Sequence, residues 1–105
     1  MGTLTDRLTF GGDVWNLLID RKIHPYRMIY FNGWTIRIQR IPPILKGVVL
    51  VTFDKSTGIL AIHNVSVFGR WFGYRCLNQV DCEQFANSEE SVAQICDLIE
   101  KAVHP

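Results

Sequence analysis

The chain offers few of the patterns that announce a chemistry. Its longest apolar stretch, GVVLVTF at 47–53, falls far short of the roughly 20 residues a membrane-spanning helix needs. The opening MGTLTDRLTF has neither the basic start nor the apolar run of an export signal. Cysteines number three, at 76, 82 and 96. An odd set argues against a disulfide framework, and the six-residue step from Cys76 to Cys82 does not fit a zinc pair. Glycine occurs in no phosphate-cradling loop, since GG at 11–12 is too short and no lysine-bearing glycine loop follows. These absences imply no metal, no cofactor and no catalytic set. They lead to the expectation of a non-enzymatic, cytoplasmic protein with reduced thiols and no membrane partner.

What the chain does contain is globular. Hydrophobic residues make up 48% and charged residues 20% of 105 positions, enough for one α+β domain over 1–105. A chain of this size buries only roughly 60–65% of its unfolded surface, so its twelve aromatic side chains carry much of the core. The net charge of +1 conceals an uneven layout. Residues 21–75 hold nine cations against Asp54 alone, whereas 76–105 hold six carboxylates against Lys101. A basic middle beside an acidic end suits an anionic partner, or contact between the two regions within or between chains.

The alternation in TLTDRLTF (residues 3–10) fits a strand, although Leu4 and Leu8 also fit a helix. Glycines 11 and 12 then act as a break. Asp13 reads as the N-cap of a helix running from 13 to about 22 and ending at His24-Pro25. Asn32-Gly33 reads as a two-residue type I′ turn. That loop sets Phe31 against Trp34, Ile29 against Ile36 and Arg27 against Ile38 on an inward face. Tyr26, Met28, Tyr30, Thr35, Arg37 and Gln39 take the other face.

Proline breaks the ladder at IPPI, 41–44. GVVLVTF and ILAIHNVSV form a second hairpin around DKSTG, apolar on both faces and therefore central, with Gly58 at the positive-φ site. Gly69 allows a turn into a fifth strand over 70–77, and 78–87 reads as loop. A final helix follows, capped at Asn87 or Ser88, with Val92, Ile95, Cys96, Ile99 and Val103 on its buried face. The fold so described is an antiparallel meander of four to five strands flanked by an N-terminal and a C-terminal helix, a roll or two-layer sandwich.

Function rests on surface composition. In the fifth strand Phe72, Tyr74 and Cys76 are assigned inward, leaving Trp71 and Arg75 to flank the gap at Gly73. Arg70, Trp71, Arg75, Tyr26, Tyr30 and Arg37 are the candidate binding residues, because arginine and aromatic rings are enriched at interfaces. A protein-binding module, such as an adaptor, an inhibitor or an assembly subunit, fits best. Its partner is expected to carry an acidic surface, and self-association is compatible with the charge layout. A basic, ring-bearing sheet also suits single-stranded nucleic acid. Four lysines and a near-zero net charge weigh against that alternative. A small ligand-binding or enzymatic roll is the third reading. For it, His63 with Cys76 or Cys82 is the only nucleophile–base couple on offer.

Overall fold

In a computed structural model, residues 9–39, 47–68, 71–84 and 89–104 are described. Helix α1 (Phe10–Asp20) leads into strands β1 (Pro25–Ile29), β2 (Gly33–Gln39), β3 (Val48–Asp54), β4 (Ile59–Phe68) and β5 (Trp71–Asp81). A 3₁₀ turn (Cys82–Gln84) precedes helix α2 (Glu89–Val103). The strands form one antiparallel sheet in chain order, β1-β2-β3-β4-β5. This is the expected α+β meander between two terminal helices. The segments 3–8, 41–44, 69–70 and 85–88, and with them the IPPI break and the Asn87 and Ser88 caps, lie outside the described residues.

Alternation sorts the sheet into two faces. Trp34, Ile36 and Ile38 of β2, Val49, Val51 and Phe53 of β3, and Leu60 and Ile62 of β4 are buried on one of them. They join Phe10, Val14 and Leu18 of α1 and Val92, Ile95, Cys96, Ile99, Ala102 and Val103 of α2 in a single core. Each fully buried Val, Leu or Ile there contributes about 1.5–3 kcal/mol. The opposite face carries Thr35, Arg37, Val48, Leu50, Thr52 and His63, all half-buried or exposed, with Ala61 and Val65 buried between them. The second hairpin is thus central and apolar on both faces, and the helices cover one of the two.

Helix α1 starts earlier than its sequence suggests. Thr9 occupies the N-cap position, where its hydroxyl donates to Asp13 Oδ2 at 3.5 Å and caps no backbone N–H, and Gly11 and Gly12 lie inside the first turn. The strand reading of 3–10 therefore fails at Phe10, and Asp13 is an internal residue rather than the cap. Tertiary packing overrides the break. A Cβ on Gly11 would sit 3.0 Å from the Trp34 ring, so the missing side chain lets the indole lie against the helix. Phe10, Trp34 and Phe53 then pack as a triad with ring centroids 5.0–5.7 Å apart.

The end of α1 is a Schellman motif in which lysine replaces the usual glycine. Lys22 takes φ of 62°, its N–H bonds the Ile19 carbonyl, and the Ile23 N–H reaches back to Leu18. Ile23 and Leu18 are both buried, completing the motif's apolar contact. His24-Pro25 is not the terminator, because Pro25 opens β1.

The first hairpin differs in register from the two-residue turn. Met28 pairs with Ile36, Ile29 with Thr35 and Arg27 with Arg37, a slip of one residue that exchanges the faces of β1. Met28 packs on the core, while Ile29 and Phe31 are exposed. A bulge at Tyr26 restores phase, so that Pro25 is buried opposite Ile38. The cause lies in β3. Gly33 pairs with Asp54, and the Asn32 carbonyl accepts from Lys55 N–H at 2.9 Å. The Asn32 side-chain amide donates to Ser56 Oγ at 2.8 Å and to Asp54 Oδ1 at 3.3 Å. Asn32 and Gly33 do hold positive φ, of 49° and 130°. They are fastened to the β3–β4 turn rather than closing a tight loop onto β1. Gly58, at φ 72°, completes that turn as expected.

At the other end of the sheet, the last β3–β4 pair is Val48 with Val65. Strands β4 and β5 continue for three more pairs, Ser66 with Gly73, Val67 with Phe72 and Phe68 with Trp71. The described residues of VFGRWFGYR, 67–68 and 71–75, therefore belong to β4 and β5 where these run past the described part of β3. Strand β5 also runs to Asp81 through residues read as loop. A bulge opposite Ile62/His63 absorbs Leu77, which packs on the core.

Two substitution sets test this anatomy. A Cβ on Gly33 would lie only 1.9 Å from the Phe53 carbonyl oxygen. Gly33→Ala and Gly33→Val should both destabilise the fold, by at least about 1–3 kcal/mol, in denaturant titrations. A β1 turn that merely disliked branched residues would spare the alanine variant. Gly11 and Gly12 should respond in opposite directions. Nothing lies within 4 Å of a Cβ on Gly12, so Gly12→Ala should raise stability by about 0.5–1 kcal/mol. Gly11→Ala should lower it by displacing Trp34.

Candidate binding surface

The thiols and His63 are the natural place to look for chemistry. The sheet brings His63 and Cys76 directly opposite each other on β4 and β5. The Cys76 thiol, however, donates to the Asn78 carbonyl at 3.6 Å, and no hydrogen bond joins it to His63 among the described residues. Cys82 and Cys96 are fully buried. Burial, the largest cause for each, pushes both thiols up to about 12. Neither is a nucleophile at neutral pH. Among the described residues, no group of three or more His, Cys, Asp and Glu side chains is placed to hold a metal ion. No helix among them is long and apolar enough to cross a membrane.

A cleft runs between the two helices. Leu17, Val92 and Ala93 line its apolar part, with Asn16 and the carboxylates of Asp13, Asp20 and Glu89 around them. At the C-terminal end of α1, Arg21 bridges to α2, with Nη1 2.6 Å from Asp97 Oδ1 and 3.4 Å from Glu100. The pair is partly exposed and contributes under about 1 kcal/mol. It consumes one cation of the basic middle within the fold.

The exposed rings lie elsewhere. On β1 and its loop Tyr26 is 55%, Tyr30 67% and Phe31 88% exposed, with Ile29 beside them. Arg27 and Arg37 stand directly opposite each other on the adjoining strands, both exposed. Like charges in that relation are destabilising, which makes the site receptive to an anion. The bulge at Tyr26 and the one-residue slip create this cluster, since they turn Ile29 and Phe31 out of the core. Sequence reading finds Tyr26, Tyr30 and Arg37 here and misses Arg27, Ile29 and Phe31. A two-residue turn places Arg27 opposite Ile38 and turns Ile29 and Phe31 inward, whereas Arg27 pairs with Arg37 and both apolar side chains are exposed.

The second set of candidates lies at the opposite edge. Tyr74 is 68% exposed, and Arg75 and Cys76 are exposed too, which corrects the inward assignment of Tyr74 and Cys76. The β5 pairing sets Tyr74 opposite Val65 and Cys76 opposite His63, on the face away from the helices. The side chains of Trp71 and Phe72, and Arg70 as a whole, are outside the described residues. Three strands lie between β1 and β5, so at about 4.8 Å per strand the edges are roughly 19 Å apart. Of the candidates, Tyr26, Tyr30 and Arg37 therefore lie near one edge and Arg75 at the other, and these four do not form one surface.

Comparison with protein-family models, with curated proteins and with solved structures yields no match to this chain.

The buried thiols give the fold a defined alkaline limit. Their pKa is raised on folding, so the stabilisation is intact below the ordinary thiol range near 9 and is lost as pH rises towards 12. Each thiol should contribute about 1.4 kcal/mol of loss per pH unit in that window. In pH-dependent unfolding, Cys96→Ala should show a shallower alkaline decline than the parent, whatever its stability at pH 7. A native chain should expose one thiol, Cys76, to a disulfide reagent and the unfolded chain all three.

Proposed function

We propose that this chain is a non-enzymatic protein-binding module that grips an acidic partner surface through the β1–β2 edge. The observation that carries the reading is the side-by-side Arg27 and Arg37 bordered by the exposed Tyr26, Ile29, Tyr30 and Phe31. Apolar rings supply contact area at low entropic cost, and the paired guanidiniums select for carboxylates. Monomeric proteins rarely expose so many large apolar groups in one patch without a partner. Asp54, at the end of β3, accepts from Asn32 and Ser56 in the turn lock, and no ion pair to Arg27 or Arg37 is found among the described residues.

The experiment is affinity capture on the intact chain, with and without nuclease, followed by titration of the captured partner. Tyr30→Ala and Arg37→Ala should each weaken binding by about 1–3 kcal/mol while leaving the melting curve unchanged, since both side chains are exposed. Capture that disappears with nuclease, and an affinity that falls steeply with salt, would instead favour single-stranded nucleic acid stacked on the same rings.

A further inference from the structure

We infer that this chain associates head to tail, the arginine–ring patch of one copy seating in the interhelical cleft of the next. The inference rests on the reading that the patch takes an acidic surface, and it names that surface. Each site is electrically unfavourable alone. Arg27 and Arg37 face each other across β1 and β2, a like-charge pair that costs stability. Asp20 is the last residue of α1, and no basic residue shares its turn. The negative end of the helix dipole disfavours a carboxylate there. No hydrogen bond or ion pair engages Asp20 among the described residues. Arg21, next in the chain, is committed to Asp97 and Glu100.

The two sites match in apolar character as well as in charge. The cleft offers about 480 Å³ over a floor of Leu17, Val92 and Ala93, ample for the ring of Tyr30 or Phe31, both well exposed beside the arginines. Asp20 and Glu89 are exposed at its rim, and no cation is among its described lining residues. Asp13, which accepts from the Thr9 hydroxyl, adds to the same negative field. Guanidiniums thus meet carboxylates while rings meet the apolar floor.

Charge and position select a second copy as the occupant. Residues 21–75, which supply the patch, are strongly cationic, and the flanking segments that supply the cleft are anionic. Among the described residues only Arg21 joins these regions by ion pairs within the fold. Arg27 and Arg37 stand on the sheet face that the helices leave bare, whereas the cleft lies in the helix layer. The sheet separates them, so the match is made between chains. Because the contact joins two different surfaces it is heterologous. Each added copy leaves one patch and one cleft free, and the assembly grows unless its rotation closes a ring.

Sedimentation of the full chain over a wide concentration range, at low and high salt, tests it. The parent should associate with rising concentration, and added salt should weaken the association. Arg37→Ala and Asp20→Lys should each raise the dissociation constant by roughly tenfold or more. Lysine suits the C-terminal end of α1, so Asp20→Lys should melt no lower than the parent, and its loss of association is not loss of fold. An equimolar mixture of the two variants decides the geometry. The intact patch of one meets the intact cleft of the other, so the mixture should associate about as tightly as the parent but stop at two chains. A parent that stays monomeric overturns the inference. So does an Asp20→Lys variant that associates like the parent, or a mixture no tighter than its separate components. In any of these cases, Arg37-dependent capture of another acidic protein leaves the reading of the patch standing. An Arg37→Ala variant without effect in either assay removes both.

Discussion

The contact between α1 and the indole of Trp34 governs how this small protein is put together. Gly11 removes the one side chain that would hold the ring off the helix, and Phe10 closes over it edge-on with Phe53 beneath. That contact draws three distant parts of the chain to one point, the start of α1, the start of β2 and the end of β3. It also fixes which residues of β2 face the helices. Once Trp34 is inward, Ile36 and Ile38 follow by alternation, and Thr35 and Arg37 must face away. The turn lock next to the triad sets the β2–β3 register from the other side. The Asn32 carbonyl receives the Lys55 amide, and the Asn32 side chain reaches Ser56. With β2 held at both face and register, β1 alone is left to adjust, and its slip and bulge are that adjustment.

The sheet's central property, two apolar faces with cover on one, follows from the count of elements. Two helices of 11 and 15 residues can blanket one side of five strands. On the far side Val48, Leu50, Thr52 and Ile59 are half-buried around Ala61 and Val65. Neighbouring strands shield one another there, which is why short side chains at 61 and 65 are buried without a helix above them. The face is therefore moderately apolar and mostly uncharged at its centre. The charge lies at its margin, on Arg27 and Arg37.

Much of this architecture is legible in the sequence, and the exceptions have physical causes. Strong β-formers with a glycine-closed loop gave β3 and β4 unmistakably, and the 3.6-residue stripe of α2 named its buried side chains. Both signals are local and unopposed. The start of α1 was not legible, because two glycines argue for a break and the reason for the first is an indole 23 positions away. Lys22 as a helix terminator was equally hidden, since the residue type opposes the conformation. The hairpin register failed for a related reason. Asn-Gly correctly indicates positive φ, but which strand the pair serves is decided by Phe53, Asp54 and Ser56. Those tertiary decisions then determine the candidate surface. Exposure of Phe31 and Ile29 follows from the slip, and exposure of Tyr74 from a strand whose outer edge no described strand covers.

The two edges of the sheet thus carry contrasting physics. At β1 the backbone is interrupted by proline and a bulge while the side chains are left outward, so this edge presents rings and guanidiniums. At β5 no described strand lies along the outer side, and Tyr74, Arg75 and Cys76 are exposed. A surface of the first kind discriminates among partners by chemistry.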